Sequence, residues 1–353
     1  MPQPLLMLDS FAAAFVVSAT AAALGRALGR RGSAVREALA IALGVCAGMF
    51  ALGVVPRWPP REDRDRFLLL VLPGIALLEA LLPSLGLPRR ARLAARLLAA
   101  AAVAPAILHG SRLVADLAGP GSATWPPFQR SMILATLGAA LFAAWLTLAW
   151  TNRVSGSARR SPLALAVAIA GASACVMLSG YATGGMRGLP IAGALAGAAF
   201  VSLRPGGGEA GTGIGSVALL GLLLSGWAFG SLKLDAALAL FLAPLLCLIP
   251  EAIPSGRLKP WARTALALFL VATATAAVVA ITAHRFGVTV AATQGGGPSD
   301  ADEARLASRV CLSKRLRGPM QDAKTQRACS RRRIVLIPCQ AFDAQELSSD
   351  EDS

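Results

Sequence analysis

The sequence predicts an all-α fold: a polytopic transmembrane helical bundle of about ten spans (nine to eleven), with a mostly disordered C-terminal tail. Three observations predict it. Of the 353 residues, 55% are hydrophobic and only 15% charged, and mean hydropathy is +0.61; soluble domains carry about 25% charged residues. The apolar residues come in separated runs near ~20 residues long, the length that crosses a ~30 Å hydrocarbon core. Basic residues gather in alternate links between those runs.

The first run, Leu5–Gly25, has no Lys or Arg before it, unlike the charged start of a secretory signal. Arg26, Arg30, Arg31 and Arg36 follow it instead, so it reads as an uncleaved span with its N-terminus outside. Nine further spans are expected at Glu37–Val55, Phe67–Leu87, Leu97–Leu117, Ser131–Thr151, Leu163–Thr183, Leu189–Leu203, Ile214–Leu232, Asp235–Ile253 and Thr264–His284. Under this scheme the inner links hold 15 Lys and Arg and the outer links hold 7, the bias expected of a membrane protein. Leu189–Leu203 is short for a span. Without it, nine spans would remain and every later loop would change sides. Gly44/Gly48, Gly193/Gly197 and Gly226/Gly230 are small-xxx-small pairs that permit close helix approach in lipid. Pro73, Pro105 and Pro244 fall inside spans, where each removes a backbone hydrogen bond and favours a kink.

Two domains follow: residues 1–287 as the transmembrane bundle, and 288–353 as a Gly-rich linker with a charge-mixed tail. The first part holds 24 Lys and Arg against 10 Asp and Glu, the second 10 against 9. The tail buries too little apolar surface to offset its ordering entropy and is expected to be disordered.

The charge excess therefore belongs to the membrane part. In a soluble chain a pI near 11.1 would point to nucleic acid; here it reflects basic loops facing anionic lipid, so the lipid bilayer is the expected partner and nucleic acid is not. Abundant Ala, with 4 Lys among 34 basic residues, fits a GC-rich bacterial genome and so a bacterial inner membrane. Cys46, Cys175 and Cys247 lie in apolar runs, while Cys311, Cys329 and Cys339 lie apart in the tail without accompanying His. No metal site and no cofactor is expected. Gly206–Gly211 reads GGGEAG, but a dinucleotide fingerprint needs a strand before it and a helix after it in a βαβ unit; between two spans it is a loop. No Walker, HExxH, G-x-S-x-G or CxxC pattern is present.

Charges inside spans are costly, and they usually face a bundle interior or a water-filled cavity. His109, Arg112 and Asp116 lie within the run Leu97–Leu117, spaced to share one helix face. That face has two readings. Arg112 and Asp116 form an i,i+4 pair at the boundary, or the three line a polar cavity with His109 carrying protons and Arg112 meeting an anion. Glu79 and Glu251 are a second pair, each in an E-A-aliphatic-P-S context followed by basic residues. Their flanking spans echo each other as a duplicated hairpin, Phe67–Leu117 against Asp235–His284. His109, Arg112, Glu79 and Glu251 are expected to face one bundle interior, with a Glu79–His109 contact within reach.

Two functional classes fit. One is a secondary carrier of a small solute or ion, with His109, Arg112, Asp116, Glu79 and Glu251 around a polar cavity. The other is a noncatalytic membrane subunit or scaffold acting through partner membrane proteins. A membrane-embedded enzyme ranks third, because no carboxylate pair sits at catalytic spacing outside the solvated run Glu62, Asp63, Asp65.

Overall fold

The computed structural model describes residues 4–27, 33–56, 58–60, 62–111, 113–114, 124–155, 157–201, 209–253 and 259–295. Ten helices in it are long and apolar enough to cross a membrane. We number them α1 (Pro4–Ala27), α2 (Ser33–Ala51), α3 (Phe67–Ser84), α4 (Arg89–Leu108), α5 (Pro127–Ser155), α6 (Arg160–Leu178), α7 (Ala182–Val201), α8 (Glu209–Phe229), α9 (Leu234–Glu251) and α10 (Pro260–Gly295). Among the described residues there is no strand. The chain divides into two compact units, Met1–Val290 and Ala291–Ser353. Of the second, only the end of α10 is described. That helix does not stop at residue 287 but continues to Gly295, and the expected disordered tail beyond it lies outside the described residues.

The short seventh span is resolved in favour of ten crossings. A single turn, Ala182–Gly185, precedes the helix Gly188–Val201, and together they make the 20-residue α7. The links alternate between two ends of the bundle, as polar contacts demonstrate. At what we term the inner end, where the more basic links lie, Arg96 and Arg153 both reach Glu209, and the Gly211 N–H donates to Glu37. At the outer end, Tyr181 meets Asp63 and Arg285 meets Asp235.

Helix α8 is the axis. Every residue from Ala210 to Gly226 is buried, and α8 packs against α2 through α7 and against α9. Its sequence, rich in Gly and small residues, lets those neighbours approach closely. Helix α1 is gripped differently, by a narrow stripe of Ser10, Ala14 and Ser18 against α2 and α7. The glycine pairs Gly44/Gly48 and Gly193/Gly197 all face α1. Large apolar side chains such as Phe50, Phe128 and Trp261 are exposed on the perimeter, where lipid would cover them.

Two spans depart from α-geometry, and proline explains both. Residues Phe67–Val71 of α3 form a π-turn, closed by the Leu72 N–H donating to the Phe67 carbonyl. Pro73 follows immediately; its ring displaces the carbonyl four residues back, and the wider turn accommodates it. In α9, Pro244 and Pro250 bracket a 3₁₀ segment, Ala243–Glu251.

Candidate functional site

Helix α3 ends in LEALLPS, and α4 begins after a four-residue link in which Gly86 takes φ +61°, a left-handed turn that costs glycine no Cβ clash. This reversal makes α3 and α4 antiparallel neighbours at the inner end. Glu79 and Arg96 meet there. Arg96 Nε donates to Glu79 Oε1 and Nη2 to Oε2, each at 2.7 Å, a bidentate pair whose side chains are 1% and 8% exposed. The planar guanidinium matches the carboxylate fork, which gives this pairing both strength and direction.

The charges continue toward the surface. Arg96 Nη2 also reaches Glu209 at 3.4 Å, and Glu209 Oε1 accepts from Arg153 Nε and Nη2 at 3.0 and 2.8 Å. Arg153 is 52% exposed, so the four groups run from the sealed interior to the inner surface. Trp145, fully buried, lies under Arg96 with 5.6 Å between the guanidinium carbon and the ring centroid. Its indole N–H has no hydrogen-bond partner among the described residues. Gly213 of α8 closes the far side: a Cβ there would lie 2.6 Å from the Trp145 ring and 3.0 Å from Glu79 Cγ.

Further polar groups complete the inner layer. Asn152 Nδ2 donates to Thr212 Oγ1 at 2.9 Å, and Asn152 Oδ1 accepts from the Ser161 N–H. Glu251, at the end of α9, pairs with buried Arg160 and lies 4.0 Å from Arg263. The two acids Glu79 and Glu251 thus occupy the same end but separate ion pairs.

Of the predicted His109–Arg112–Asp116 face, only His109 lies among the described residues, and it stands just past the end of α4. Helix α4 begins eight residues before the expected Leu97 and stops at Leu108. His109 leaves the helix with ψ 131°, and Gly110 turns the chain with φ +71°. His109 is exposed at the outer end, where its carbonyl accepts from Arg66 Nη1. Arg112 and Asp116 lie outside the described residues. A Glu79–His109 contact is ruled out by direction: Arg96, the partner of Glu79, lies thirteen residues from His109 along α4, about 20 Å.

Sequence reasoning missed Arg96, Arg153, Glu209, Arg160 and Arg263, which it had counted only as loop charges or passed over. The signal was present. Glu79 and Arg96 flank a four-residue reversal at near-equal distances, and Glu209 opens an otherwise apolar span.

The outer end has its own latch. Tyr181, the chain's single tyrosine, donates its O–H to both carboxylate oxygens of Asp63 at 2.9 Å. Burial, and then the Asp63 charge, push the phenol well above its ordinary value, since both oppose a phenolate. Phenolate absorbance near 295 nm is therefore expected to be missing from the folded protein at pH 11, about one unit above a free tyrosine's pKa of ~10. It should appear on unfolding. Ordinary titration in the folded state would disprove the half-buried Asp63–Tyr181 pair.

Among the described residues, no group of three or more His, Cys, Asp or Glu converges as a metal site would. Ten apolar helices joined by short links define a multi-pass membrane protein. Compared with protein-family models, curated proteins and solved structures, the chain matches none.

Proposed function

We propose that the chain is a secondary carrier of a small solute or ion in a bacterial inner membrane, with the Glu79–Arg96–Glu209–Arg153 series closing its inner end. The observation that carries this reading is that series itself. It ties four helices, α3, α4, α5 and α8, through ionised groups where small-residue packing would hold a static bundle. A buried ion pair gives little or no net stability over apolar side chains of the same volume, so its presence at membrane depth favours a working role. Ion pairs can exchange partners and admit water; a leucine layer cannot.

Two further features support the same reading. Glu79 and Glu251 sit on the two spans whose helices are interrupted by proline, by a π-turn in α3 and a 3₁₀ segment in α9. Interrupted helices are where carriers place their moving parts and binding groups. The cleft at His109 lies at the outer end, opposite the paired charges. A cleft at one end with paired charges at the other is an asymmetry that alternating access would use.

Flux decides the matter. The purified chain, reconstituted in liposomes under an imposed pH gradient, is expected to move protons with a member of a panel of amino acids, sugars and organic ions. Glu79→Gln should slow that flux by at least about tenfold at equal folded protein, because it removes the charge to which Arg96 returns. Wild-type liposomes as tight as empty ones across the panel would favour a scaffold acting through partner membrane proteins.

A further inference from the structure

We infer that the outer-end cleft where α9 and α10 meet the end of α6 binds an anionic phospholipid; this stands whether or not the chain is a carrier. The cleft encloses about 540 Å³. Leu178, Leu232 and Ala236 form an apolar floor, and Lys233, His284 and Arg285 stand around it.

The donors that remain select the ligand's chemistry. Ser179, Ser231 and Thr282 donate their hydroxyls to the carbonyls of Val176, Ser179 and Val278. These groups retain only accepting lone pairs for a ligand. Arg285 is held at 2.8 Å by Asp235, so those two charges cancel. The side chains of Lys233 and His284 make no hydrogen bond or ion pair with another described residue, although the Lys233 ammonium also feels the Asp235 carboxylate. The donors left to a ligand are thus the Lys233 ammonium and the His284 ring, and a phosphate, all of whose oxygens accept, is what they match.

Position and shape select a lipid over a soluble phosphate. Lys233 stands at the head of α9 and Arg285 near the end of the apolar stretch Trp261–Gly287, both at the depth of headgroups. A free phosphate would leave the apolar floor empty. Exposed Leu234 and Ile281 continue that apolar surface toward the bilayer, along the path an acyl chain would take. The cleft also lies where α10 parts from the bundle. Thr275 packs tightly against Gly171, the Cys175 thiol lies 3.7 Å from the Thr282 hydroxyl, and past these points Arg285–Asp235 joins the two sides.

The test uses the purified full-length chain in a neutral detergent, with phosphatidylglycerol, phosphatidylcholine or glycerol phosphate added. Lipid retention is read by native mass spectrometry and the unfolding midpoint by a thermal ramp. Phosphatidylglycerol should be retained and should raise the midpoint, whereas phosphatidylcholine should do neither. K233Q/H284Q should retain about fivefold less phosphatidylglycerol, the effect expected for losing a cation beside an anionic headgroup. Lys259→Gln removes a lysine at the opposite end and should retain lipid as the wild type does, which separates a local site from net charge. Both changed residues are exposed, so folding is preserved. Equal retention of the two lipids, or unchanged retention by K233Q/H284Q, would overturn the proposal. Competition by millimolar glycerol phosphate would assign the cleft to a soluble anion and overturn the lipid.

Discussion

Replacing Arg96 by Met is expected to destabilise the folded bundle by about 3–5 kcal/mol, among the largest effects of any single change in the chain. The loss does not come from the attraction itself, which desolvation of both groups nearly offsets. It comes from leaving Glu79, 1% exposed, without a cation. A stranded carboxylate can escape by taking up a proton, which at pH 7 costs about 4 kcal/mol from a solution pKa of ~4.3. The deficit of the Met variant should therefore shrink as pH falls from 8 to 5, because the proton then comes at lower cost. Removing both partners, as Glu79→Gln with Arg96→Met, should cost less than removing Arg96 alone, since no buried charge is stranded. Glu209 keeps Arg153 throughout. Thermal unfolding in detergent at several pH values measures all three variants. A double variant as unstable as the single one would show that the pair is an ordinary packing element.

That pair also shows where the sequence could be read and where it could not. The ten spans were legible because each is an apolar run bounded by charge, and hydropathy responds to that composition directly. The start of α4 was not. Its first eight residues, RRARLAAR, contain four Arg, so a hydropathy window excludes them and slides the span forward to Leu97. Arg96 belongs to the helix because Glu79 neutralises it, and pairing across helices has no trace in a one-dimensional average. The slide carried His109 into the membrane on paper, when Gly110 had already ended the helix. Glu79 was legible as a buried acid, and Glu251 as a half-buried one at a span's end, because a lone carboxylate in an apolar run has few places to go. Their partners were not, because each came from a stretch that composition marks as a loop.

The second large effect concerns how α1 is held, and its test compares one chemical change at two places. A methyl added at Gly197 would lie 2.3 Å from the carbonyl oxygen of Phe15, closer than real contacts allow. Gly193 presents the same problem one turn away, 2.5 Å from the Phe11 carbonyl. These are backbone atoms and cannot swing aside, so α1 must move as a body. It would lose the hydrogen bond that Ser18 Oγ donates to the Ala194 carbonyl at 2.8 Å. Gly197→Ala is expected to cost about 1–3 kcal/mol by overpacking, and Gly193→Ala/Gly197→Ala more. In lipid no hydrophobic effect would push α1 back, because lipid tails cover it as well as protein does. Gly74 of α3 is also inside a helix, but a Cβ there meets nothing within 4 Å. Gly74→Ala should therefore stabilise by about 0.5–1 kcal/mol, by reducing the freedom of the unfolded backbone. Opposite signs for one substitution would place the stability of α1 in direct backbone contact with α7. Equal effects at the two sites would refute that close approach.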